Sequence, residues 1–210
     1  MNSAGTATGS IYGVAKEASL YSYKVLQNSG SGSFGWVISA VDDIIKHKKA
    51  YGRKLVINMS LGGSFYSPMN DAVDSASAAG IWVVVAAGNE MADACTFSPA
   101  SAETAITVGA TVKTDSIASY SNTGDCVNIY APGSGILSTS ITGGTTTMSG
   151  TSMASPHVAG VAALYLQANK GVSDLFSDAT PLSNQGIFLV YTGNLIDSAT
   201  TPAPTESPII

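Results

Sequence analysis

The chain has 210 residues, 45% of them hydrophobic and only 11% charged, with 22 glycines and a net charge of −5. These values suit one globular, glycine-rich domain with a short tail, and an acidic balance without a basic patch argues against nucleic acid as a partner. No stretch approaches the roughly 18 consecutive apolar residues of a membrane span, and Met1 is followed by small polar residues rather than a basic and then apolar leader.

Taken in order, Ser19 to Leu26 alternates as a strand. Gly30-Ser31-Gly32-Ser33-Phe34-Gly35 then satisfies G-x-G-x-x-G between a strand and a helix. The acidic residue that a dinucleotide site needs about 20 positions later is missing, because Leu55-Val56-Ile57-Asn58 stands there, and a nucleotide binder is set aside. Gly35 to Ala50 carries Val37, Ala40, Val41, Ile44 and Ile45 at helical spacing, and His47 near its polar end reads as solvated surface. Leu55-Val56-Ile57 begins the next strand. Asn58-Met59-Ser60 is a glycosylation sequon on that strand, where occupancy is not expected. Ser67-Pro68 opens a helix as N-cap and first helical residue, and Gly80 closes it. Ile81 to Ala87 is nearly all apolar, as a parallel strand covered on both faces requires. Thr104 to Ala110 and Val127 to Tyr130 add strands, and Ser152 to Gln167 is a further helix. This alternation predicts an α/β fold with a mostly parallel sheet and right-handed crossovers. Thr200 to Pro208 is a Pro/Thr/Ser tract that reads as linker, so residues 1–198 are taken as the domain and 199–210 as a disordered tail.

The run Gly150-Thr151-Ser152-Met153-Ala154-Ser155-Pro156, continued by His157-Val158-Ala159-Gly160, places a serine at the mouth of an apolar helix. Free N–H groups and a partial positive charge there would meet a developing oxyanion. A helix cap would explain a lone serine, but not so specific a run. A G-x-S-x-G hydrolase elbow fails because Ala154 holds the last glycine position. The run resembles the nucleophile motif of subtilisin-like serine peptidases. Tyr12-Gly13-Val14-Ala15, Ser60-Leu61-Gly62-Gly63, Val85-Ala86-Ala87-Gly88-Asn89, Phe97-Ser98-Pro99-Ala100-Ser101 and Ala131-Pro132-Gly133 are similar to other segments of that family, in the family's order. The likeness extends from Ala4 to about Gln167 and is greatest to the proteinase K branch, especially its aqualysin-like members.

The resemblance implies a three-layer subtilisin-like fold and a serine endopeptidase acting through an acyl-enzyme on Ser152, with Asn89 and the Ser152 N–H holding the oxyanion. It implies that Gly30, Ser31 and Gly32 form one edge of the substrate cleft and Ser60, Leu61 and Gly62 the other, with Ala86, Ala87 and Gly88 lining the pocket for the residue before the scissile bond. Polypeptides are the implied substrates, paired along the cleft as added strands. Cys95 and Cys126 coincide with a disulfide of the aqualysin-like relatives, which points to an oxidising, extracellular compartment. No cofactor or metal is assigned; calcium is common in the family, but Asn128 stands where proteinase K relatives offer an aspartate.

The family also needs an Asp near its N-terminal end and a His in a His-Gly-Thr-His run, and this chain opens Met1-Asn2-Ser3-Ala4-Gly5-Thr6 with neither. His157 cannot substitute, because five residues of helix turn its side chain about 140° away from Ser152. Loss of the catalytic Ser or His in a family member costs on the order of a millionfold in kcat. The chain is therefore expected to be an N-terminal truncation lacking the Asp-bearing strand, inert and aggregation-prone alone and a monomer when completed. A non-catalytic, peptide-binding pseudopeptidase is the alternative.

Overall fold

Alternate residues of one apolar strand decide the layering. In the computed structural model, which describes residues 2–182 and 187–192, Val84 packs with Val108, Ala154 and Val158 in one core, while Val83 and Val85 pack with Val37, Met69 and Val73 in a second. A strand sandwiched in this way has no polar face, which accounts for the unbroken apolar run.

The chain begins with α1 (Asn2–Thr8) and α2 (Phe34–Tyr51), followed by β1 (Val56–Met59) and the short β2 (Gly63–Ser64). Next come α3 (Ser67–Ala78), β3 (Trp82–Ala86), β4 (Phe97–Ser98), β5 (Ile106–Thr111) and β6 (Ile129–Pro132). A hairpin of β7 (Ile136–Thr139) and β8 (Thr145–Met148) leads into α4 (Thr151–Gln167), and α5 (Val172–Ser177), β9 (Thr180–Leu182) and β10 (Ile187–Leu189) follow. The main sheet has the order β1-β3-β5-β6-β10-β9. Its pairs are parallel except β10 with β9, and the register sets Val56 beside Trp82, Val84 beside Ile106 and Val108 beside Ile129. The apolar residues of α2 and α3 belong to one core and those of α1, α4 and α5 to the other, giving the three-layer α/β arrangement expected.

Local chemistry fixes the ends of these elements. The Ser33 hydroxyl accepts from the Gly35 N–H at the start of α2, and Gly52, at φ +66°, returns its N–H to Lys48 at the end. The start of α3 differs from expectation by one residue: Tyr66 is the N-cap and makes no side-chain cap, while Ser67 is already helical. The Tyr66 N–H donates to the buried Ser98 hydroxyl at 2.9 Å, which ties the start of α3 to β4. Gly80 lies one residue past the C-cap Ala79, at φ +77°.

One expected strand is absent. Residues 20–25 form no ladder, and Leu26 makes only an isolated bridge to Gly32. A strand needs a partner for its backbone groups. Here β1 lies at one end of the sheet order, and a groove of about 520 Å³ stands between it and this segment. Val56 and Ile57 form one wall, Val37, Val41 and Ile44 of α2 contribute another, and Leu20, Tyr21 and Tyr23 face it half-exposed. His47 is less solvated than its sequence suggests: it lines the same groove, its ring 4.6 Å from that of Tyr51 and 6.0 Å from that of Tyr21. The Pro/Thr/Ser tract lies outside the described residues.

Candidate active site

Proline at position 156 shapes the first turn of α4. It has no N–H to offer the carbonyl four residues earlier, so the helix cannot satisfy the Ser152 C=O. Two hydroxyls do so instead: Ser60 Oγ donates to it at 2.9 Å and Ser3 Oγ at 3.1 Å. The Ser152 hydroxyl donates in turn to the Ser60 carbonyl at 3.3 Å. Behind Ser60, Asn58 Nδ2 donates to Ser60 Oγ at 3.0 Å, and the fully buried Ser155 hydroxyl donates to Asn58 Oδ1. The C-terminal end of β1 is thereby tied to the start of α4, and the sequon asparagine is committed to this network.

Asn89 approaches from the end of β3. Its Oδ1 accepts from the Thr151 N–H at 2.8 Å and from the Thr151 hydroxyl at 3.1 Å, while Thr151 Oγ1 accepts from the Gly88 N–H at 3.1 Å. Committing Oδ1 in this way leaves Nδ2 as the free, oriented donor of the carboxamide. The Ser152 N–H lies in the first turn of α4, where no intrahelical acceptor exists. Gly150, at φ +153°, keeps this corner open: a Cβ there would stand 3.5 Å from Asn89 Oδ1 and 3.7 Å from both Asn89 Nδ2 and Ser152 N.

Ser152 and Asn89 share a hollow of about 140 Å³ with Leu61, Gly62, Ala86, Ala87 and Gly88. Ser60 reaches the site through its bonds to Ser152. Gly30, Ser31 and Gly32 do not line the hollow; they sit on an exposed turn in which the Gln27 N–H donates to the Ser31 carbonyl at 2.8 Å. Beneath the hollow, Ala87, Ala94 and Ala100 form a small core against Phe97, Cys126 and Val127. Cys95 and Cys126 are joined as a disulfide with Cα atoms 5.3 Å apart, fastening the 94–96 turn to the segment entering β6.

Several members of the site carried no sequence signal. Thr151 was visible only as part of the motif, and its role in orienting Asn89 is a matter of tertiary geometry. Asn122 and Glu90 lie in loops without periodicity, yet Asn122 is fully buried and its side chain braces the 87–92 turn.

Neither histidine hydrogen-bonds Ser152. His157 Nδ1 pairs with the Met153 carbonyl at 2.8 Å, and burial lowers its pKa against the opposing pull of that bond. Among the described residues no group of three or more His, Cys, Asp or Glu side chains could hold a metal, and Asn128 Oδ1 accepts from the Thr107 N–H at 2.7 Å. No helix among the described residues is long and apolar enough to cross a membrane.

Comparison with known proteins gives this geometry a context. The profile of the subtilase family, Peptidase_S8, matches residues 1–198. Alkaline serine exoprotease A of Vibrio alginolyticus is 52% identical over 170 residues, covering 81% of this chain and 31% of that protein. Proteinase T of Parengyodontium album is 49% identical over 174 residues, covering 82% of this chain and 59% of that protein. The crystal structure of a cold adapted subtilisin-like serine proteinase superposes with a TM-score of 0.86 at 44% identity, covering 90% of this chain and 72% of that one. The chain thus spans about a third to three-fifths of the length of these two curated relatives.

Proposed function

Because the chain belongs to the subtilase family of serine peptidases, we propose that it carries the nucleophile and oxyanion half of an endopeptidase site whose base and orienting carboxylate come from polypeptide outside these 210 residues. The observation that carries this reading is the shared hollow, with the Ser152 hydroxyl on one side and the Asn89 carboxamide, fixed by Thr151, on the other. In the completed enzyme a His removes the Ser152 proton as Oγ attacks the scissile carbonyl, and an Asp holds that His in place. The carbonyl oxygen, now an anion, takes hydrogen bonds from the Ser152 N–H and Asn89 Nδ2. The donors are in position before reaction, so little reorganisation accompanies charge development. Collapse of the intermediate leaves the acyl group on Ser152 until water releases it.

Among the described residues no His, Asp or Glu side chain hydrogen-bonds the Ser152 hydroxyl, which donates to the Ser60 carbonyl instead. The groove beside β1 supports the same reading, since a strand laid against β1 would bring its C-terminal end to Ser60 and hence to Ser152. Sheet-borne catalytic groups belong at that end of parallel strands. The site acts on extended polypeptide in an oxidising, extracellular setting, which the disulfide supports.

The test compares hydrolysis of a chromogenic peptide by three proteins: the chain alone, the chain preceded by a subtilase segment bearing the Asp and His, and the Ser152→Ala form of the latter. Turnover is expected only from the second. Ser152-dependent turnover by the chain alone, or none from the folded fusion, contradicts the reading.

A further inference from the structure

The Ser152 carbonyl is an acceptor that its own helix cannot serve, because Pro156 has no N–H to offer it. Ser60 fills that gap and meets Ser152 at both ends: its hydroxyl donates to the Ser152 carbonyl at 2.9 Å, and its carbonyl accepts from the Ser152 hydroxyl at 3.3 Å. A single side chain thus bears on the main chain of Ser152 while the same residue's backbone holds the nucleophilic oxygen. A serine hydroxyl has one proton and turns freely about its C–O bond, so a neighbour must fix where that proton points.

Asn58 is that neighbour. Its Nδ2 donates to Ser60 Oγ at 3.0 Å, which engages that oxygen as an acceptor and leaves the Ser60 proton for the Ser152 carbonyl. The carboxamide is itself held the right way round, since the fully buried Ser155 hydroxyl donates to Asn58 Oδ1. These bonds all run in one direction, from Ser155 through Asn58 and Ser60 to Ser152, so the relay starts and ends in the first turns of α4 after passing through the end of β1. Hydrogen bonds ordered in this way polarise one another and strengthen the last of them. Ser3 Oγ is a second donor to the same carbonyl at 3.1 Å, so loss of the relay weakens the hold on Ser152 without abolishing it.

We infer that Asn58 is a positioning residue of the peptidase site: by orienting the Ser60 hydroxyl it holds the Ser152 main chain, so that Ser152 Oγ leaves the Ser60 carbonyl and meets the scissile carbonyl by rotation about its Cα–Cβ bond alone. This rests on the reading of Ser152 as the nucleophile. Neither Asn58 nor Ser155 lines the hollow beside Ser152, so the relay acts on the chemical step and not on substrate binding. Both polar residues of the Asn58-Met59-Ser60 sequon are links of the relay, which gives the pair a use other than glycosylation.

The test reverses the relay while keeping its shape. In Asn58→Asp a carboxylate oxygen replaces Nδ2, accepts the Ser60 proton and draws it away from the Ser152 carbonyl. The change also adds a charge, so it is made both in the chain completed with its Asp- and His-bearing segment and in the Ser60→Ala form of that protein, where there is no hydroxyl to turn. Rates are expressed per active site, counted by stoichiometric acylation of Ser152, so that molecules that fail to fold do not enter. With Ser60 present, Asn58→Asp should lower kcat about tenfold with KM unchanged, the equivalent of one neutral hydrogen bond. In the Ser60→Ala background, itself lowered about tenfold, the same change should alter kcat by less than about twofold. Equal effects in the two backgrounds, or a loss confined to KM, overturn the inference while leaving the nucleophile reading intact. In the 210-residue chain the reversal is read without catalysis, as an upfield move of the Ser152 carbonyl carbon resonance in Asn58→Asp and in Ser60→Ala, and an unmoved resonance also overturns the inference. If the unaltered completed protein shows no Ser152-dependent turnover, the nucleophile reading falls and the inference falls with it.

Discussion

Replacing Asn122 by alanine tests how the wall of the hollow is held. The side chain uses its full capacity: Oδ1 accepts from the N–H groups of Glu90 at 2.9 Å and Ala92 at 3.0 Å, and Nδ2 donates to the Ala87 carbonyl at 3.0 Å and to Glu90 at 2.7 Å. A neutral hydrogen bond contributes about 1 kcal/mol net, one to a charged group about 1.5–3, and a buried group left unpaired costs about 1–3. Glu90 and its N–H, on the exposed side of the turn, recover water; Ala87, at 0% exposure, does not. Asn122→Ala should therefore cost about 3–4 kcal/mol, a large part of the 5–15 kcal/mol typical of a domain. Urea denaturation followed by far-UV circular dichroism measures it. Asn122→Asp separates acceptors from donors, since it keeps the Oδ1 contacts but sets a second carboxylate against Glu90. Mutual repulsion raises the folded pKa of that pair above the unfolded values near 4, so the variant is relatively most stable at acid pH and loses stability as pH rises. A loss below about 1 kcal/mol for the alanine variant, or an Asp variant with the pH profile of the unaltered chain, would refute this account of the wall.

Other outcomes follow from single contacts. Burial lowers the folded pKa of His157, so its contribution to stability is complete above the unfolded value of about 6.5 and is lost as pH falls through the lower folded value; His157→Gln should flatten urea midpoints across that window, and an unchanged slope contradicts the burial argument. Gly160→Ala gains about 1 kcal/mol of helix propensity, but its Cβ would meet Val14 Cβ at 2.6 Å and the Ala7 carbonyl at 3.0 Å, neither of them a movable side-chain end. Overpacking at about 1–3 kcal/mol outweighs the gain, so calorimetry should show a lower Tm, and a higher one would mean that α1 does not pack closely on α4. Removing the disulfide with Cys95→Ser and Cys126→Ser opens a loop with a sequence separation of 31 and should cost roughly 3–4 kcal/mol, read from urea midpoints; a loss below about 1 kcal/mol would show that the linked segments are held by their other contacts.

Legibility in the sequence followed burial pattern. The apolar run of β3 and the apolar stripe of α2 each announced their type, because burying both faces or one stripe leaves its period in the residues. The β7–β8 hairpin did not: Thr145–Met148 is mostly exposed, so nothing selects an alternation, and its pairing is set by tertiary contacts such as the buried Ser138 hydroxyl donating to the Asn2 carbonyl. Residues 19–26 show the converse, a strand pattern without a strand, because alternation records what a segment can bury and not whether a partner lies alongside. At the site, Ser152 and Asn89 were marked by their motifs. Asn122 and Glu90 were not, since their importance arises only when the loop carrying Asn122 folds over the end of β3.

The central claim is that Asn89 and Ser152 work on one oxyanion. It is tested most directly by Asn89→Ala in the chain completed with its Asp- and His-bearing segment, with kcat and KM measured separately. The account predicts a fall in kcat of about 10²–10³ with KM nearly unchanged, the size of loss seen when a family member gives up such a donor. An unchanged kcat, or a loss confined to KM, would contradict it.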